Sequence, residues 1–290
     1  MLIKKEKIKY ILLKNKYGYP RITSRLEVSK LLSSNENLSI CRFGDGELSM
    51  ILEDYSIEFQ KYDKSLSNKL KEIVSNPKLD NMLVCLPDVF STTKKFTDNI
   101  AEYWINWVNL NRKSAMQLFD KSYLYGDTNI TRLFLPWKDK SREIEILNNI
   151  KSTWLNKHVI IVEGNKTRFG VGNDLFNEAK EISRILCPAK NAWCQYDNIL
   201  SECLKIAPDI NNVFVLALGP TASVLANDLC KRGYRALDLG HLDIQYEYLR
   251  SNASQKIIIP GKYNNEVIDG DIVEECRDTD YLKSIIAEII

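Results

Sequence analysis

The chain has 290 residues, with 40 Lys+Arg against 38 Asp+Glu and a formal net charge of +2. Near-neutrality removes the basic stripe on which a dedicated nucleic-acid binder depends. At 44% hydrophobic and 27% charged residues, the composition is that of a globular protein, long enough for one large α/β domain or two small ones.

The Lys-rich start, Met1-Leu2-Ile3-Lys4-Lys5, has no continuous apolar core, and Ile11-Leu12-Leu13 is too short to make one. Residues 1–36 are expected as an N-terminal helical segment with a solvated face. The alternative for its lysines is contact with anionic lipid or a partner. No stretch reaches transmembrane length.

From residue 37 the chain reads as repeated strand, loop and helix. Leu38–Phe43 is a short strand, and Glu47 to Leu52 turns helical. Asn81–Leu86 is the second strand, stopping at Pro87-Asp88. Trp104 to Leu110 lies in an aromatic-rich helix. His158–Val162 is an apolar strand closed by Glu163-Gly164. A Gly-rich loop follows, and Asp174 to Ile185 is expected as an amphipathic helix. Asn212–Leu218 is the clearest buried strand, ending at Gly219-Pro220-Thr221. Ala222 to Arg232 is then a helix closed by Gly233, and Tyr234–Leu239 is the last strand.

Continuous apolar strands alternating with helices predict an α/β fold: a mostly parallel sheet covered on both faces. In such sheets ligands bind outside the carboxyl ends of the strands. The unusual polar residues fall there: Arg42 to Glu47, then Asp88, then Glu163, Thr167, Arg168, Asn173 and Asp174, then Thr221, then His241 and Asp243.

Asp45-Gly46-Glu47 is the sharpest feature. Two carboxylates one residue apart on a Gly-flanked turn can address one hard cation, Mg²⁺ or Mn²⁺. Arg42 and Gly44 stand beside them. The competing reading is a turn whose acids cap the next helix. In Gly164–Asp174, the glycines Gly170 and Gly172 expose backbone N–H groups, and Lys166 and Arg168 add charge suited to a diphosphate. The loop is neither a Walker A nor a G-x-G-x-x-G motif. Its competing reading is a surface loop with Asn173 or Asp174 as a helix cap. Gly219, Pro220 and Thr221 form a tight turn into a helix, suited to nucleotide contact or to capping alone. His241 ends a strand with Asp243 two positions on, so a metal-ligand or charge-stabilising role is expected for His241. Asp243 and Glu247 share a helix face, and of these Asp243 is the first choice as general base. His158 reads as structural. The seven cysteines (Cys41, Cys85, Cys187, Cys194, Cys203, Cys230 and Cys276) are odd in number and include no CxxC pair. Neither a thiolate zinc site nor a disulfide framework is expected, and a reducing, cytoplasmic setting fits.

Together, Arg42–Glu47, Val162-Glu163-Gly164, Gly170–Asp174, Ala217–Ala222 and Gly240–Asp243 resemble the GT-D glycosyltransferases, first described as a domain of unknown function. The resemblance runs from about Ser39 to about Glu266. It implies a Rossmann-like fold within a single domain spanning 1–290, with its catalytic core at 37–270. It also implies metal binding by Asp45 and Glu47 and a UDP-sugar donor; His241 is added as a third ligand from its own position at a strand end. The relatives imply hexose transfer, glucose first, to a glycan or glycoprotein acceptor in bacterial surface-glycan assembly. Donor contacts are then expected from Arg42, Gly44, Glu163, Arg168, Gly170, Gly172, Asn173, Asp174, Gly219, Pro220 and Thr221. Asp45, Glu47 and Asp243 are the expected catalytic acids. One departure is Gln245, where the family commonly has an acid. Two other classes fit the same residues: a metal-dependent nucleotide-sugar or phosphate-ester hydrolase, and a non-catalytic sugar-nucleotide binder. A homo-oligomer is compatible with the sequence.

Overall fold

The computed structural model describes residues 2–206 and 209–290. Met1, where the expected N-terminal segment begins, lies outside the described residues. In chain order, α1 (Leu2–Tyr17), β1 (Arg21–Ile22) and α2 (Arg25–Ser34) precede β2 (Ser39–Arg42). Next come α3 (Asp45–Glu53), α4 (Lys64–Ser75), β3 (Met82–Leu86), α5 (Asp98–Leu118) and β4 (Leu124–Asp127). The second half holds α6 (Glu143–Lys151), β5 (His158–Gly164), β6 (Glu181–Cys187), α7 (Tyr196–Ile206), β7 (Val213–Ala217) and α8 (Pro220–Cys230). It closes with β8 (Arg235–Asp238), α9 (Leu242–Arg250), α10 (Thr279–Ser284) and β9 (Ile285–Glu288).

The nine strands form one sheet in the order β1-β4-β3-β2-β8-β7-β5-β6-β9, and every pairing is parallel. Alternate side chains of each inner strand serve opposite faces. Cys41, Val84, Ile160, Val162 and Phe214 join one core with α4, α5, α7 and α8. Ile40, Cys85, Val159, Ile161 and Val215 join the other with α2, α6 and α9. This two-sided burial is why the strands read as unbroken apolar runs. All seven cysteines are free thiols. Five are buried core residues, whereas Cys194 is exposed and Cys276 is half-buried. Among the described residues no helix is long and apolar enough to cross a membrane.

The expected helix over Asp174 to Ile185 is absent. Turns occupy its first part, and β6 its second, paired along its full length with β5. The polar residues of β6 misled the periodicity: Ser183 and Arg184 are buried against neighbouring groups, so a strand with polar side chains is satisfied by tertiary contacts.

Tyr125 and Gly126 belong to β4. Tyr125 is fully buried in β4, where its hydroxyl donates to Val74 O at 3.0 Å and accepts from Asp120 N at 2.9 Å. A Cβ on Gly126 would stand 2.6 Å from Cys85 Sγ, 3.0 Å from Leu83 Cδ2 and 3.1 Å from Val28 Cγ2. Overpacking of this kind costs ~1–3 kcal/mol. Gly126→Ala is therefore expected to lower the unfolding free energy by that amount, read from urea titration as the midpoint shift times the m-value; an unchanged midpoint would show that the α2–β3 contact yields freely.

Candidate active site

β2 and β8 are neighbours at the middle of the sheet. From β2 the chain winds outward through β3 and β4, while β5 to β9 build the other half. At such a switch point the loops leaving adjacent strands part to opposite faces and open a crevice. A cleft of about 360 Å³ lies there, walled by the segments that follow β2, β4, β5, β7 and β8.

Its floor is an ion pair. Arg42 Nη2 meets Asp238 Oδ1 at 3.0 Å, and Arg42 Nε donates to Asp238 O at 2.7 Å. Arg42 Nη1 donates to Thr131 Oγ1 at 2.9 Å, and Ser223 Oγ donates to Asp238 Oδ2 at 3.1 Å. Arg42 thus lines the cleft but is braced on three of its nitrogens, tying the two central strands together.

Asp45 and Glu47 both line the cleft at the start of α3. Glu47 Oε2 accepts from Gly44 N at 2.8 Å, which closes the first turn of the helix. Burial pushes the Glu47 carboxyl up to about 7, against the backbone hydrogen bonds that lower it. Asp45 accepts a hydrogen bond from the Tyr103 hydroxyl, which reaches it from α5. The turn is therefore capped by Glu47 while both its carboxylates line the cleft.

His241 lines the opposite wall, with Nε2 3.3 Å from Glu266 Oε1. Burial and then Arg132 push its pKa down to about 3, so the imidazole is neutral at physiological pH. Glu266 lies 2.5 Å from Arg132 Nη1 and 3.2 Å from Lys256 Nζ. Burial opposes its ionisation, but Arg132, His241 and Lys256 outweigh burial and hold the carboxyl well below the usual range.

The described residues contain no group of three or more His, Cys, Asp or Glu arranged to hold a metal. His241 lines the same cleft as Asp45 and Glu47 without forming a three-ligand cluster with them. A pair of carboxylate oxygens nonetheless suits Mg²⁺ or Mn²⁺, whose remaining positions are ordinarily filled by phosphate oxygens and water. Asp45 and Glu47 fit that donor set.

The Gly-rich segment departs most from expectation. Glu163 is fully buried below the cleft, 2.5 Å from Arg184 Nη1, and its Oε2 accepts from Phe169 N at 2.7 Å. Arg168 donates to Gly261 O at 2.8 Å and to Glu274 O, so it clamps the C-terminal segment rather than facing a ligand. Gly170 and Gly172 adopt φ of 76° and 77° and shape the loop, and neither lines the cleft. Asn173 donates to Asp243 Oδ1 at 2.7 Å and to Glu247 Oε1 at 2.6 Å. Asp174 accepts from the Tyr246 hydroxyl at 2.6 Å and pairs with Lys151 at 3.3 Å. With no helix after Asp174, there is no N-terminal dipole here to attract an anion.

Asp243 does reach the cleft, but its carboxylate is held by Lys262 Nζ at 2.6 Å as well as by Asn173. Burial raises its pKa and Lys262 opposes the rise. This pairing also fastens the segment that carries Lys262, Asn264 and Glu266 to α9. Gln245 is buried away from the cleft and accepts from Phe134 N at 3.4 Å. Gly219 lines the cleft at the N-terminus of α8, with φ 55° and no room for a Cβ beside the Phe59 ring. Pro220 and Thr221 are buried in the first turn of α8 and do not line it.

Sequence reasoning overlooked Phe59, Arg132 and the Tyr263–Glu266 segment, all of which line the cleft. Each comes from an irregular loop, and no strand end or motif marks it. Thr128 and Asn129, just after β4, also line it, whereas Tyr125 and Trp137 of the same region are core.

A family model described as the glycosyltransferase GT-D fold matches residues 40–267. Glycosyltransferase GlyD of Streptococcus pneumoniae serotype 4 is 35% identical over 254 residues, which cover 88% of this chain and 31% of that protein. A probable glycosyl transferase, Gly, of Streptococcus gordonii is 34% identical over 251 residues, covering 87% of this chain and 36% of that protein. The chain thus spans about a third of the length of the curated relatives it matches. A solved structure described as the highly conserved domain of unknown function 1792, with a distinct glycosyltransferase fold, aligns at a TM-score of 0.90 and 34% identity, over 97% of this chain and 100% of that one. With a family match across most of its length and the same architecture at 34% identity, the chain belongs to the GT-D glycosyltransferase fold family.

Proposed function

We propose that this chain transfers a hexose, glucose first, from a UDP-sugar to a glycan or glycoprotein acceptor, and that it does so in the cytoplasm during bacterial surface-glycan assembly. The observation that carries the reading is the convergence of Asp45, Glu47 and the Gly219 turn on one cleft at the sheet's switch point.

Asp45 and Glu47 would hold Mn²⁺ or Mg²⁺. When bound, the cation neutralises charge developing on the leaving diphosphate. The chain's own groups act around it. The N-terminus of α8 at Gly219 presents backbone N–H groups and the positive end of a helix dipole to an anion. Gly219, at φ 55°, lets that turn pack directly on the Phe59 ring, where a Cβ would clash. Arg132 adds positive charge on the facing wall, partly compensated by Glu266. The Arg42–Asp238 pair fixes the floor, so these groups need little reorganisation as charge moves.

The test is UDP release from a panel of UDP-sugars, with Mn²⁺ and with EDTA. Release from one sugar only, lost in EDTA and accelerated by an acceptor, is the expected result. Turnover indifferent to every acceptor would favour the hydrolase. UDP binding without turnover under any metal would leave a binding protein.

A further inference from the structure

The two ends of the cleft differ in chemistry. The end under β5 and β7 is walled by small residues, among them Gly164, Ala189, Ala217 and Gly219, with the Phe59 ring across them. Such a slot admits a flat base and brings backbone close to phosphates. The end under β4 and α5 is built from Trp104, Thr128 and Asn129, and Asp45, which also lines the cleft, is tied to α5 through Tyr103.

Three observations mark this second end as a place for a ligand. Trp104 is 8% exposed, yet its side of α5 faces the cleft. Beside it Tyr103 is 47% exposed, packed edge-on to Trp104 at 5.4 Å between ring centroids, and its hydroxyl is anchored on Asp45. Tyr103 does not itself line the cleft but flanks it through Asp45 and Trp104, which do, and a ring half open to water and fixed at its far end offers an apolar face there. Thr128 is 6% exposed and lines the cleft, and its Oγ1 has no hydrogen-bond partner. A buried hydroxyl left unmatched costs free energy that a polar ligand with slight local adjustment would recover.

We infer that Tyr103, Trp104, Thr128 and Asn129 form the acceptor subsite, and that it takes a neutral sugar ring. The inference rests on the glycosyl-transfer reading for its role, though not for its chemistry. A pyranose has one face of C–H bonds and a rim of hydroxyls. The C–H face packs on Tyr103 at the mouth, and the rim meets Thr128 and Asn129 inside. The Tyr103 hydroxyl holds the ring in register with Asp45, which sets the acceptor beside the metal-binding carboxylates. No charged group of this end is free for an acidic acceptor. Arg132 is committed to Glu266, and Lys95 nearby is committed to Asp88 and Asp127.

The experiment is saturation-transfer NMR on the full chain with methyl glucoside, methyl galactoside and methyl N-acetylglucosaminide, with and without UDP and Mn²⁺. Two variants separate ring from hydroxyl. Tyr103→Ala is expected to weaken binding of the preferred glycoside about five- to tenfold, the scale of one lost aromatic contact. Tyr103→Phe keeps the ring and is expected to weaken it less than about twofold. Thermal unfolding of both variants checks that the exposed position leaves the fold intact. No binding of any glycoside by the wild type, under either condition, would overturn the subsite. So would equal losses in Tyr103→Phe and Tyr103→Ala, which would place the effect in the Asp45 contact, or no loss in either. Absence of UDP binding alongside intact glycoside binding would strike the donor reading and spare the subsite.

Discussion

Replacing Asp45 by Asn is expected to slow UDP release from the preferred donor by about a hundred- to a thousandfold, the usual loss when one preorganised charge-stabilising group is removed. The substitution keeps size and position at the first turn of α3, so stability should change by less than ~1 kcal/mol, the worth of one carboxylate at a helix N-terminus. The companion Glu47→Gln is informative in a different way. Glu47 both lines the cleft and accepts from Gly44 N. Gln at this position preserves that cap. A Glu47→Gln protein that folds normally but turns over at a comparably reduced rate would assign the carboxylate to the metal and donor. Wild-type turnover in both variants would reduce the D-x-E triplet to helix capping and remove the mechanism. Raising Mn²⁺ should partly rescue either variant, since the loss is one of affinity as well as of geometry.

The second large effect concerns stability. Arg184 Nη1 and Glu163 Oε1 lie 2.5 Å apart, at 4% and 0% side-chain exposure. Arg184 also stacks over the Tyr281 ring at 5.1 Å and donates to Ser284 Oγ at 3.1 Å, so it joins β5, β6 and the C-terminal α10–β9 unit. Arg184→Met is expected to cost ~3–5 kcal/mol, because it strands a carboxylate in an apolar interior. For a chain of this size that lowers the thermal midpoint by roughly 6 °C or more. Glu163→Gln combined with Arg184→Met should recover much of the loss, since the uncompensated charge goes with it. The pH dependence has a definite sign. Burial already pushes the Glu163 carboxyl up, and Arg184 is the main opposing influence. Without Arg184 the folded-state pKa lies further above its unfolded value, so the folded state binds the extra proton and stability falls as pH rises. Arg184→Met should therefore be least stable, relative to wild type, at pH 8 and least affected near pH 5. A loss independent of pH would mean that packing on Tyr281, not the charge pair, is what Arg184 contributes.

Both experiments bear on residues that the sequence alone assigned unequally well. Asp45, Glu47, Gly219 and His241 follow strands whose apolar runs announce them, and all four line the cleft. Five strands, β2, β3, β5, β7 and β8, were legible for the same reason: a strand buried on both faces must be apolar along its whole length. Glu163 and Arg168 stood at an equally legible strand end, yet they turn inward. Glu163 faces Arg184 of β6, and Arg168 faces carbonyls of the C-terminal segment.

What the sequence by itself determined is the central sheet, its carboxyl-end rim and the carboxylate pair on it, because burial on two faces and a Gly-flanked turn both leave local marks in residue type. What only the tertiary structure decided is the identity of β4, β6 and β9, the inward turn of Glu163 and Arg168, and the far wall of the cleft made by Arg132 and Tyr263–Glu266. Those features depend on partners distant in the chain. A polar residue such as Arg184 can lie in a buried strand only because Glu163 meets it there, and no local pattern records the meeting.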